Sequence, residues 1–92
     1  MAKVVVTLKI MPASPEVNLE ELENKINEKI DSFAGECEKK TTIEPIAFGL
    51  KALNILFVMD EAKGSTDFLE TQISEFEEIN SVEVTDVRRA IG

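Results

Sequence analysis

The chain has 92 residues, 43% of them hydrophobic, with 18 acidic against 10 basic side chains and a formal net charge of −8. That length suits a single domain, residues 1–92, with one modest core. The charge argues against a nucleic-acid surface, which is basic over its contact area, and no apolar run reaches the roughly 18 residues of a membrane helix.

Lys3 to Met11 reads as the first strand. Val4, Val6, Leu8 and Ile10 alternate on one face, and Val5, Thr7, Lys9 and Met11 on the other. Its start is apolar on both sides, which places it inside a sheet. The N-terminal apolar run is too short for a secretory signal and alternates as a strand does. Pro12 to Val17 is a loop. Asn18 predicts a helix start, because its side chain can accept from the first free backbone N–H groups, and Glu21 completes a capping-box pattern. Leu19, Leu22, Ile26, Ile30 and Phe33 follow at spacings of 3, 4, 4 and 3, one helical stripe. Gly35 marks the stop, and Glu21 with Lys25 forms an i,i+4 pair.

Glu36 to Ile46 is polar and predicts an edge strand. Thr41, Thr42 and Ile43 favour extended backbone, and Lys39, Lys40 and Pro45 protect an open sheet edge. Cys37 is the only cysteine, so no internal disulfide forms, which fits a reducing, cytoplasmic compartment. With no histidine to act as its base, Cys37 reads as a small strand residue. The stretch from Pro45 to Asp60, PIAFGLKALNILFVMD, organises the rest. Ala52 to Met59 is a strand with Leu53, Ile55, Phe57 and Met59 on one face and Ala52, Asn54, Leu56 and Val58 on the other. Being apolar on both faces, it takes a central place. Phe48-Gly49 forms the tight turn before it, with Gly49 free to take positive φ. A large apolar side chain on such a turn has little of its own fold to bury it, which marks Phe48 for a partner.

Glu61 to Ser65 is a loop containing Gly64. Thr66 or Ser65 caps a second helix, whose buried stripe is Phe68, Leu69, Ile73 and Phe76. That helix carries Asp67, Glu70, Glu75, Glu77 and Glu78 and no base. Asn80-Ser81 forms a turn, and Val82 and Val84 begin the last strand. The apolar phase then slips to Val87 and Ile91, which predicts a bulge near Thr85-Asp86 or an early end. The order β-α-β-β-α-β is that of a ferredoxin-like α+β fold, an antiparallel four-stranded sheet in order 4-1-3-2 with two helices on one face. The other face stays open, so some of Val5, Thr7, Lys9, Asn54, Leu56 and Val58 meet solvent or a partner.

Catalysis requires convergent groups, and the chain has no His, no CxxC, no metal-ligand cluster and no glycine-rich phosphate loop. The adjacent acids Asp60-Glu61 and Glu77-Glu78 point apart and form no dyad. An acyl phosphatase of this fold would need an arginine in the loop after strand one, where PASPEV stands instead. An RNA-binding sheet of this type needs aromatics on its central strands, where Val4, Val5, Val6 and Leu56 stand. What remains is a surface for protein contact, with Phe48 on its turn and Arg88-Arg89, the only arginines, near the end of the chain.

PIAFGLKALNI, the GSTDFLE that opens helix two, and SVEVTDVRR together resemble the translation elongation factor 1-beta family in its short archaeal form. The resemblance spans essentially the whole chain. It implies a non-enzymatic activity, exchange of GDP for GTP on the GTPase elongation factor 1-alpha, which carries aminoacyl-tRNA to the ribosome. It also implies that Phe48, with Gly49 and Lys51 of the same segment, packs on the GTPase. In eukaryotic relatives a lysine beside the C-terminus reaches the Mg²⁺ position; that place aligns with Arg89, next to Arg88, and the tail here is longer. No cofactor, metal, direct nucleic-acid contact or membrane contact is expected, and the free chain is expected to be a monomer. In the expected topology Phe48 and Arg89 lie at opposite sheet ends, on the order of 25–30 Å apart. A rival from another class is a small-molecule-sensing regulatory domain of the same fold, which a metabolite-dependent dimer in gel filtration would favour.

Overall fold

Alternation of burial along two strands sets the architecture. A computed structural model of the chain describes residues 3–35, 38–64 and 66–90. In β1 (Lys3–Pro12), Val6, Leu8 and Ile10 are buried while Val5, Thr7 and Lys9 are only partly covered. In β3 (Lys51–Asp60), Leu53, Ile55, Phe57 and Met59 are buried by the same rule. The two pair antiparallel from Lys3–Asp60 to Ile10–Leu53. Directly opposed residues share a face, so their apolar sets form one surface. β2 (Lys39–Pro45) flanks β3, β4 (Ile79–Ala90) flanks β1, and the sheet order is β2-β3-β1-β4. This is the expected 4-1-3-2 order.

Helix α1 (Leu19–Ala34) lays Leu22, Ile26 and Ile30 on that surface, with Leu19 and Phe33 at its margins. Each side chain so buried stabilises by about 1.5–3 kcal/mol. The Asn18 side chain accepts from the N–H of Glu20 at 3.0 Å and of Glu21 at 3.2 Å, a cap worth about 1 kcal/mol. At the other end Gly35 takes φ +80° and its N–H donates to the Asp31 carbonyl at 2.8 Å. The Lys39 ammonium, at the start of β2, donates to the Asp31 carboxylate. Cys37, expected in the edge strand, lies outside the described residues.

Helix α2 (Asp67–Ser74) departs from expectation in three ways. It is short, so Glu75, Glu77 and Glu78 lie beyond it and it is not a five-acid face. Its N-cap residue is Thr66, whose side chain makes no capping bond and donates instead to Glu70 Oε2 at 3.0 Å; Ser65, the other candidate, lies outside the described residues. Leu69 and Ile73 are buried and Phe76 packs at the core margin, but Phe68 is 65% exposed. The reason is angular. At 100° per residue Leu69 and Ile73 fall on one line, and Phe68 is about a third of a turn off it.

The turn expected at Asn80-Ser81 comes earlier, over residues 75–78, and β4 already runs at Ile79, which is buried. Lys25 of α1 contacts this turn. Its ammonium binds Glu78 Oε2 at 2.5 Å, the expected i,i+4 partner Glu21 adds a weaker charge attraction, and the ammonium lies 5.8 Å from the centre of the Phe76 ring; the Lys29 ammonium lies 5.9 Å from the same ring. The 75–78 segment is thereby held on α1. The expected bulge is present: Thr7 opposes Asp86 and Leu8 opposes Val84, so Thr85 is the extra residue.

The Lys25–Glu78 bond holds the Glu78 carboxyl below its ordinary 4.5 and the Lys25 ammonium above its ordinary 10.5. A depressed carboxylate stabilises above its unfolded pKa and loses that contribution as pH falls through its folded value. The raised lysine contributes below its unfolded pKa and loses it as pH rises through its folded value. The melting-temperature gap between wild type and Glu78→Gln should therefore be level from about pH 5 to 9 and shrink below about pH 4. A gap that widens on acidification would contradict the pairing.

Candidate partner-binding site

Pro45 ends β2 because it has no N–H to give the ladder. The chain then turns through Ala47–Leu50, closed by the Leu50 N–H donating to the Ala47 carbonyl at 2.9 Å, with Ile46 N–H donating to the Leu50 carbonyl at 2.9 Å. Both central residues have positive φ, +53° for Phe48 and +80° for Gly49, the sign pattern of a type I′ turn. Gly49 takes this without cost. Phe48 does not: an L-residue in the left-handed region carries roughly 1–2 kcal/mol of strain, and Asn or Gly is the usual occupant. Phe48 is also 97% exposed. It therefore gives the fold neither burial nor an easy turn.

The neighbourhood is apolar as well. Ile43 and Ile46 are both exposed on the same hairpin. Lys51, the first residue of β3, is exposed beside them. Behind the turn the loop between β1 and α1 comes close enough that a Cβ on Gly49 would lie 3.8 Å from Pro15 Cβ.

Arg88 and Arg89 sit at the far end of the sheet. Arg89 is opposite Val4, which is opposite Met59, whereas the Phe48 turn follows the Ile10–Leu53 end. At ~3.3 Å per residue the two ends are about 30 Å apart, along a molecule whose long axis is 42 Å. The arginines do not form one cluster. Arg88 opposes Val5 on the open face and its Nε lies 2.8 Å from Asp86 Oδ2. Arg89 opposes Val4 on the helix-covered face and donates to Glu61 Oε1 at 3.0 Å. Glu61 belongs to a short 3₁₀ turn (Glu61–Lys63) that Asp60 caps by accepting the Ala62 N–H at 2.9 Å. Both acids of the Asp60-Glu61 pair thus have structural partners.

The sequence reading missed two features. Phe68, assigned to the core, is an exposed aromatic on α2, the helix that packs against β4; its offset from the Leu69–Ile73 line was the available signal. The second is Ile43 and Ile46, strand residues by type that add exposed apolar surface to the hairpin. On the open face Leu56 is 37% exposed, and Asn54 Nδ2 donates to Glu44 Oε1 at 3.0 Å. Among the described residues no group of acidic or sulfur ligands converges as a metal site, and no helix is long and apolar enough to cross a membrane.

Comparison with known proteins adds a second line. The family model described as the EF-1 guanine nucleotide exchange domain matches residues 5–90. The protein named elongation factor 1-beta from Methanothermobacter thermautotrophicus is 47% identical over 89 residues, covering 97% of this chain and 98% of that one. Its namesake from Methanocaldococcus jannaschii is 40% identical over 90 residues, covering 98% and 100%. Among solved structures, the de novo designed protein Foldit4 superposes with a TM-score of 0.62 at 18% identity, over 98% of each chain. That likeness concerns the fold alone.

Proposed function

The chain belongs to the EF-1 guanine nucleotide exchange domain family, and from that premise we propose that its 92 residues act as one cytoplasmic exchange domain on elongation factor 1-alpha. It regenerates the GTP form that binds aminoacyl-tRNA, breaks no covalent bond, and is a monomer when free. The observation that carries this reading is Phe48, an exposed aromatic held in a costly backbone conformation at a hairpin tip. Strain of that kind persists where function requires it.

The physics is linkage. A GTPase holds GDP through backbone amides, a lysine and a Mg²⁺ ion that bridges the phosphates. A factor that binds the empty form better weakens GDP by the same ratio. Phe48, with Gly49 and Lys51, forms one contact at the hairpin end. Arg89 forms the other, with Arg88 on the opposite face of the same strand end, and there a cation competes with Mg²⁺ for the phosphate site. The separation of the two ends fits a footprint across two domains of the GTPase. To reach the partner, the Arg89 guanidinium must leave Glu61, a step that costs little because exposed ion pairs are worth about 0–1 kcal/mol.

The test is release of a fluorescent GDP analogue from elongation factor 1-alpha; no acceleration by this protein would remove the proposal. Arg89→Ala is expected to slow stimulated release severalfold at high Mg²⁺ and less at low Mg²⁺. Equal rates at every Mg²⁺ concentration would leave that end of the molecule without a role in expelling the nucleotide.

A further inference from the structure

We propose that the cleft beside the Phe48 turn is a second half of the same contact, receiving an apolar side chain with an adjoining carboxylate from the GTPase. This rests on the exchange reading above and extends the site to the loop between β1 and α1. The cleft holds about 270 Å³. Pro12, Pro15, Val17 and Leu19 wall it on the loop side, and Gly49 and Lys51 on the hairpin side. Its volume lies below the roughly 300–1,000 Å³ of small-molecule sites. A protruding side chain suits it better than a metabolite does.

Three observations define the occupant. The first is chemistry: Pro12, Pro15, Val17 and Leu19 give the cleft an apolar wall, and Ser14 and Lys51 give it a polar side of similar extent, with Lys51 the one cation. Among the described residues Lys51 is paired with no carboxylate, although the chain has 18 acids. A free ammonium beside an apolar cleft calls for an acid next to an apolar group. The second is rigidity. The Ala13 N–H donates to the Glu78 carbonyl at 2.8 Å, the Val17 N–H to the Ser14 carbonyl at 3.3 Å, and the Glu16 N–H to Ser14 Oγ at 3.3 Å. Two prolines fix φ within the same stretch. A wall already ordered costs little entropy on binding. The third is continuity: Gly49 lines the cleft and adjoins Phe48, so a partner that accepts the Phe48 ring brings its own surface against the cleft mouth.

The full chain, elongation factor 1-alpha and the fluorescent GDP analogue test this. Lys51→Glu repels the carboxylate, and Pro15→Glu places an acid at the cleft wall. Each is expected to raise the concentration for half-maximal acceleration about tenfold, equivalent to about 1.4 kcal/mol, with a smaller effect on the maximal rate. Lys51→Ala serves as the milder variant, and thermal melts check that each protein is folded. Folded variants that saturate at the wild-type concentration overturn the cleft proposal while the exchange reading stands. Sedimentation showing self-association that Pro15→Glu abolishes would assign the cleft to a second copy of the chain and also overturn it. A wild-type protein that leaves GDP release unchanged removes the exchange reading, and this proposal with it.

Discussion

Phe48→Ala is expected to slow stimulated GDP release by at least about 30-fold while leaving the melting temperature unchanged within a degree or two. The first half follows from what aromatics do at interfaces. A central aromatic anchor typically contributes 2 kcal/mol or more, and 2 kcal/mol is a factor of about 30. The second half follows from the free protein. Phe48 is 97% exposed, so its removal uncovers no apolar surface. Alanine keeps the left-handed strain, so the turn costs the same as before. Phe48→Gly goes further: it relieves that strain and is expected to raise the melting temperature while abolishing the contact. Few positions show stability and activity moving in opposite directions. Stopped-flow release and a thermal melt on the same samples decide the matter. Parallel loss of fold and activity would mean that the ring supports the fold after all.

Local rules carried most of the fold. The parity of β1 and β3 is written in Val6, Leu8, Ile10 and Leu53, Ile55, Phe57, Met59, because a strand's two faces need only a period of two. Asn18 and Gly35 bound α1 because cap chemistry involves neighbours three or four residues away. The bulge at Thr85 showed as a slip in the same alternation. The failures are non-local. Lys25 bonds Glu78, 53 residues on, while Glu21, one turn back, adds only a weaker charge attraction. Nothing in the spacing of either residue announces this. That contact ties the 75–78 segment to α1, in the turn that replaces the one expected at Asn80-Ser81. At the candidate site, Phe48 was legible as an apolar residue on a turn, and its distance from Arg89 followed once the topology was fixed. Its positive φ was not legible, since a turn of this kind ordinarily takes Asn or Gly. The cleft was not legible either. It exists because the sheet brings residues 12–19 against residues 49–51, a pairing set by the whole fold.

Phe57→Ala is expected to have the largest effect on stability, about 3–5 kcal/mol, and its neighbour Leu56 the contrasting one. Phe57 is fully buried on the helix-covered face of the central strand. Its truncation removes apolar burial and leaves a cavity between two helices and a sheet that cannot easily collapse. A chain of this length has a total stability of roughly 5–14 kcal/mol, so the loss is about a fifth of it or more. The melting temperature should fall by about 12–40 °C, at roughly 4–8 °C per kcal/mol. Exchange by Phe57→Ala should then fall only in proportion to the unfolded fraction, and recover on cooling. Leu56, one residue earlier, points to the open face and is 37% exposed. Leu56→Ala should cost about 1–2 kcal/mol, well below Phe57→Ala, since the side chain is only partly covered. Chemical denaturation midpoints measure both. The pair also reads the open face directly. If folded Leu56→Ala weakens exchange beyond its modest loss of stability, the partner covers that face as well as the hairpin. If the folded variant exchanges like the wild type, the face is solvated, and the contact is confined to the two ends of the sheet.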